Sequence, residues 1–91
     1  MKTKTEMIAA AKAAYSDKVW VSLYTLKCYR ACHHKTDKQE ATEARAVVFA
    51  LDELLENMGI TEKERKALFD EQARLYPYLD TDILFTGDPI E

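Results

Sequence analysis

Before Tyr76 the chain contains one glycine, Gly59, and no proline; Pro77, Gly87 and Pro89 all lie beyond it. A multistranded β protein needs turn residues at short intervals, so this scarcity leaves helices as the building material. Gly59 sits between two amphipathic segments. Thr36 or Asp37 is placed to cap a helix over residues 37–58, and Gly59 to close it. Thr61-Glu62-Lys63-Glu64 opens a second helix over 62–76 with a capping box, and Pro77 stops it. In the first helix Ala44, Val47, Val48, Leu51, Leu54, Leu55 and Met58 recur at three- and four-residue steps, a broad core-facing stripe. In the second, Leu68, Phe69, Leu75 and Tyr76 share one side, while Glu62–Lys66 and Asp70–Arg74 have the i,i+4 spacing of ion pairs.

The upstream third is less clearly punctuated. Thr3 and Glu6 form a capping box for a helix to about Tyr15, and Ser16-Asp17 restarts the chain. Val19 to Leu26 is rich in β-branched and aromatic residues and has strand propensity, yet Val19, Leu23 and Leu26 also keep helical spacing. Helix is favoured over 18–33 because the only β partner in sight is Ile83-Leu84-Phe85-Thr86. The fold class is all-α: one domain over residues 1–91, a small three- or four-helix bundle. It has a central antiparallel helix hairpin (37–58, 62–76) and a short C-terminal extension that packs in part and frays at its end. Its core is expected from Val19, Leu23, Leu26, Val47, Val48, Leu51, Leu54, Leu55, Leu68, Phe69 and Leu75.

Apolar residues at 47% and charged residues at 32% of 91 are globular values. The longest apolar run, Ala46–Leu51, falls far short of the roughly 20 residues that span a bilayer. The basic start Met1-Lys2-Thr3-Lys4 leads into an alanine-rich stretch broken by Lys12, a poor secretory signal. Cys28 and Cys32, four apart on a helix, suit reduced thiols better than a bridge. A cytoplasmic protein is expected. Charge is uneven: residues 1–38 hold eight basic against three acidic side chains, and residues 39–91 five against thirteen. Such a split makes two poles in the fold or is neutralised across it.

Cys28-x-x-x-Cys32-His33-His34 is the one cluster of metal-ligand character, since thiolates and imidazoles suit zinc. A structural zinc site wants four converging ligands, and buried thiols beside helix-terminal histidines are the plainer interpretation, so no cofactor is assigned. Lys18, Lys27, Arg30, Lys35 and Lys38 interleave with Trp20, Tyr24 and Tyr29, the composition of a backbone-tracking, base-stacking surface; lysines snorkelling around core aromatics give the same pattern. Asp52, Glu53 and Glu56 form an acidic face with no basic neighbour on their own helix, and Tyr78, Asp80 and Asp82 form a second acidic patch. Asp80-Thr81-Asp82 begins like a calcium loop, but Leu84 and Phe85 stand where a ligand and a glycine are required.

The stretch Leu54-Leu55-Glu56-Asn57-Met58-Gly59-Ile60-Thr61-Glu62-Lys63-Glu64-Arg65-Lys66-Ala67-Leu68 resembles a helix-turn-helix at its turn. It departs from that pattern at Leu55, where a small residue is usual, and at Arg65, where an apolar one is. That resemblance implies DNA reading by the second helix, whose Glu62, Glu64, Asp70 and Glu71 would repel phosphates. No catalytic set or phosphate-cradling glycine loop accompanies these segments, so no enzyme is expected. The leading expectation is a non-enzymatic binding protein, monomer or homodimer. As a regulator, adaptor or inhibitor it would dock Asp52, Glu53 and Glu56 on a protein partner, for instance one that binds nucleic acid. The alternatives are a nucleic-acid binder using Lys27, Arg30, Lys35 and Lys38 and a zinc protein using Cys28, Cys32, His33 and His34. Membrane binding is disfavoured by the same carboxylates.

Overall fold

A computed structural model describes residues 3–91; Met1 and Lys2, half of the basic start, lie outside the described residues. The described chain is helical without a strand: α1 spans Lys4–Cys32, α2 Lys35–Asn57 and α3 Glu62–Ala73, followed by one 3-10 turn at Asp82–Phe85. Among them no helix is long and apolar enough to cross a membrane.

Thr3 caps α1 as expected, its hydroxyl accepting the Glu6 amide at 3.2 Å. The restart at Ser16-Asp17 does not occur. The helix runs unbroken for 29 residues, about 43 Å at 1.5 Å per residue, which matches the 43 Å long axis of the molecule. Ala11, Tyr15, Val19, Ser22 and Leu26 form one continuous buried seam across the predicted break, and tertiary burial overrides the β preference of Val19–Leu26. The Ser22 and Thr25 hydroxyls, buried on that seam, donate to the carbonyls of Val19 (2.8 Å) and Val21 (2.7 Å). Ile83–Thr86 pairs with nothing and closes the 3-10 turn instead.

His33 ends α1 in the left-handed conformation (φ 57°), its amide donating to the Tyr29 carbonyl at 2.7 Å. His34 is the extended residue that starts α2, without a side-chain cap, so neither Thr36 nor Asp37 fills that role. The turn falls where the sequence places it, between a helix ending near 33 and one opening near 37, with the second helix starting two residues earlier than expected. Instead Asp37 lies in the first turn of α2, where its charge favours the helix dipole. At the far end, Gly59 takes φ 90°. Its amide donates to the Glu56 carbonyl and that of Ile60 to the Leu55 carbonyl, both at 3.0 Å, a Schellman closure with Ile60 and Leu55 both in the core. Thr61 then caps α3 through the Glu64 amide at 3.2 Å.

α1 and α2 share the largest interface, α3 packs chiefly on α1, and α2 and α3 touch only sparsely. The dominant hairpin is therefore α1–α2, with α3 running back alongside α1: Lys12 meets Glu64 at 4.0 Å, and Lys27 lies over the Tyr76 ring. On α2 the buried seam is Ala41, Ala44, Val48 and Leu55, with Leu51 and Met58 half-buried. Val47 (39% exposed), Leu54 (46%) and Leu75 (57%) lie outside the core, contrary to the broad-stripe expectation. α3 stops at Ala73, and the expected Glu62–Lys66 and Asp70–Arg74 pairs give way to Lys66–Asp70 at 2.9 Å and an Arg74 Nε bond to the Glu71 carbonyl.

The chain beyond α3 packs in part, as expected, and the packing reaches as far as Ile90. This segment covers the side of α2 that α3 leaves open, burying Leu84 and Ile90. Arg45, itself buried, donates from one guanidinium nitrogen to the carbonyls of Ile83 (3.0 Å) and Asp88 (2.7 Å), and Arg30 donates to the Glu91 carbonyl.

Candidate functional site

Because α3 leans on α1, a cleft of about 540 Å³ opens between α2, α3 and the 3-10 turn, within the roughly 300–1,000 Å³ range of ligand sites. Tyr15, Val48, Phe69 and Leu84 line it with apolar surface, and all four are buried. Phe49 (39% exposed) and Phe85 (59%) stand at its mouth, the Phe85 ring 4.6 Å from that of Phe69. Asp52, Glu62, Asp70 and Asp82 line the cleft against two cations, Arg65 and Lys66.

Arg65 changes the expected acidic face. Its guanidinium bonds Asp52 at 2.8 Å, approaches Glu56 at 3.7 Å and donates to the Ile60 carbonyl. Asp52 and Glu56 are therefore not without a basic neighbour. The relief comes from α3 across the Gly59 turn, and position 65 is the one at which Arg65 broke the helix-turn-helix pattern. Glu53 alone of the three has no ion pair among the described residues. The second patch divides. Asp82 faces the cleft, whereas Tyr78 and Asp80 border a shallower hollow with Lys27, Arg30, Ala31 and Leu79. The Asp80 carboxylate also accepts the Asp82 amide at 3.1 Å.

Folding brings basic and acidic residues from the two halves of the chain together at both ends of the hairpin. Around the α1–α2 turn Lys27, Arg30, Lys35 and Lys38 stand among Asp37, Glu40, Glu43 and Asp80. Towards the other end Lys4, Lys12, Lys63, Arg65 and Lys66 stand among Glu6, Asp52, Glu53, Glu56, Glu62 and Glu64. The basic residues singled out in the sequence are largely engaged within the chain. Lys27 lies over the rings of Tyr24 and Tyr76, Lys38 over Tyr29, and Arg30 holds the Glu91 carbonyl, while Lys35 is exposed. Cys28 and Cys32 are unpaired thiols one helical turn apart. His33 turns its ring edge-on to Tyr29 and His34 begins the next helix, so the four do not converge. Among the described residues no group of three or more His, Cys, Asp or Glu side chains could hold a metal.

The Tyr15 side chain lies buried on the floor of this cleft. Burial first, then the Asp52 charge, push its hydroxyl up to about 12, with Arg65 opposing. A raised pKa means that the folded state holds its proton where the unfolded chain, titrating near 10, has lost it. The contribution is thus complete below pH 10 and lost as pH rises through 12. In urea melts, wild type is expected to lose on the order of 2 kcal/mol more than Tyr15→Phe across that window, and to show no such difference in pH dependence below it.

Phe49 and Arg45 escaped the sequence reading, and Phe85 and Arg65 entered it in other roles, Phe85 in a β-partner candidate and Arg65 as a departure from the helix-turn-helix pattern. Phe49 is hidden inside the apolar run Ala46–Leu51, and only the helical phase set by Val48 and Leu55 turns it outward. Comparison with models of known protein families, with curated proteins and with solved structures finds no match.

Proposed function

We propose that this chain is a non-enzymatic, cytoplasmic binding protein, a small regulator or inhibitor that occupies a protein partner through the α2–α3 cleft. The observation that carries this is the pairing of an aromatic floor and mouth with a rim of four carboxylates against two cations. Arg65 and Lys66 are already tied to Asp52 and Asp70, so the surplus charge is negative at Glu62 and Asp82. Such a site suits an apolar side chain flanked by lysines or arginines, with charge setting orientation and the aromatic contacts giving affinity. The acidic docking surface is thus centred on Glu62, Asp82 and the phenylalanines rather than on Asp52, Glu53 and Glu56. Two unpaired thiols fit a reducing compartment.

A helical peptide with leucines along one face and lysines beside them is the probe. Titrated into isotopically labelled protein, it is expected to move the amides of Phe49, Phe69, Asp82 and Phe85. Phe85→Ser and Asp82→Lys should each weaken it about tenfold, or about 1.4 kcal/mol. A glutamate-for-lysine version should not bind. Equal binding of both peptides, or shifts confined to another surface, would contradict the assignment.

A further inference from the structure

The floor of the α2–α3 cleft is apolar except at one point. Tyr15 is 3% exposed there, in the same core cluster as Val48, Phe69 and Leu84. The other buried hydroxyls of α1 are satisfied by the helix itself, Ser22 on the Val19 carbonyl and Thr25 on that of Val21. The Tyr15 hydroxyl has no hydrogen-bond partner among the described residues. Every fully enclosed side-chain nitrogen or oxygen among them does have one. The Tyr15 oxygen is therefore not sealed in, and it opens onto the cleft that its residue lines. Burial and the charges of Asp52 and Asp70, outweighing Arg65, push its titration up to about 12, so at neutral pH it is an uncharged phenol in net negative surroundings. Such surroundings favour a donor arriving at its free lone pairs over a second acceptor.

Given the docking proposed above, on which this inference rests, we propose that the side chain the cleft receives from its protein partner is a tryptophan. Its ring lies against Phe69 and Phe85, and its indole N–H donates to the Tyr15 hydroxyl. The alternatives fit the floor less well. A leucine fills apolar volume, but it strips the hydroxyl of water and leaves it unpaired. A lysine or arginine would set a full charge against a neutral phenol on an apolar floor, while Glu62, Asp70 and Asp82 stand exposed at the rim. An indole offers a broad apolar face to the tilted Phe69–Phe85 pair and one N–H donor without an acceptor. A cleft of about 540 Å³ has room for the largest side chain. Lysines beside the tryptophan still answer the surplus charge at Glu62 and Asp82.

The test uses the full chain and the leucine–lysine helical peptide, its central leucine replaced in turn by tryptophan, 1-methyltryptophan or tyrosine, with affinity read by titration calorimetry. The tryptophan peptide is expected to bind about tenfold tighter than the leucine one. 1-Methyltryptophan keeps the ring but has no N–H, and should bind about fivefold weaker than tryptophan. On Tyr15→Phe these two should bind alike. The leucine peptide should bind that variant more tightly than wild type, because no hydroxyl is then left unpaired; a disturbed fold would weaken every peptide together. Tyrosine, which brings acceptor lone pairs with its donor, should fall below tryptophan. Three results would each overturn the tryptophan anchor: equal binding of tryptophan and 1-methyltryptophan to wild type, the same loss on methylation in Tyr15→Phe, or tighter binding of tyrosine. In those cases leucine-peptide shifts at Phe49, Phe69, Asp82 and Phe85 would leave the cleft itself standing as the docking site. If no peptide moves those amides, the docking site and its anchor fall together.

Discussion

Arg45→Met is expected to lower stability by about 3 kcal/mol and to release the segment after α3 from the body of the protein. Arg45 is 6% exposed, and its guanidinium donates to two carbonyls, those of Ile83 and Asp88. It has no carboxylate partner among the described residues, so those carbonyls are its charge compensation. Hydrogen bonds from a charged donor contribute about 1.5–3 kcal/mol each, and a thioether supplies none. Losing them leaves two carbonyls to find water, which requires the segment to lift away and expose Leu84 and Ile90. Amide exchange should then accelerate at Leu84, Thr86 and Asp88 while α1 and α2 stay protected. Arg45→Lys should fall between, because an ammonium can still donate to these carbonyls but is a more strongly hydrated charge to bury. A loss under about 0.5 kcal/mol with unchanged exchange would show that the segment is held some other way.

Leu55→Ala and Leu54→Ala are expected to differ by about 2–3 kcal/mol although the residues are neighbours. Leu55 is fully buried and belongs to the seam with Val48 and Ala41, so truncation removes apolar burial and leaves a cavity, at about 2–5 kcal/mol. Leu54 is 46% exposed on the outward side of α2, and its truncation should change stability by less than about 0.5 kcal/mol. Urea midpoints at constant m-value read it directly. Equal losses would mean that α2 is rotated from the phase described here.

The particular residues show how much was legible. Thr3, Gly59 and Thr61 announce their roles because capping and left-handed closure are local, and all three act as their types and spacing require. The helical state of residues 18–33 was recoverable from the spacing of Val19, Leu23 and Leu26 against β-rich composition. What the sequence concealed depends on distance along the chain. Arg65 meets Asp52 across a turn, and Arg45 meets Ile83 and Asp88 some forty residues on; neither pairing has a local signature. The α2 stripe looked wide because two apolar seams, one facing α1 and one facing outward, lie side by side on it. Periodicity alone merges them, and only the placement of Leu55 inside and Leu54 outside separates core from surface. The cleft was invisible for the same reason: it exists because α3 packs on α1 rather than on α2.

The proposed docking cleft rests on α3 standing off α2 with the C-terminal segment in between. The most direct measurement is the pattern of nuclear Overhauser contacts among Phe49, Phe69, Leu84 and Phe85. A strong Phe69–Phe85 cross-peak is expected, from rings 4.6 Å apart, with Leu84 methyl contacts to the buried core and none linking Phe49 directly to Phe69. Direct Phe49–Phe69 contacts with Phe85 silent would mean that α3 closes on α2, and no cleft would remain.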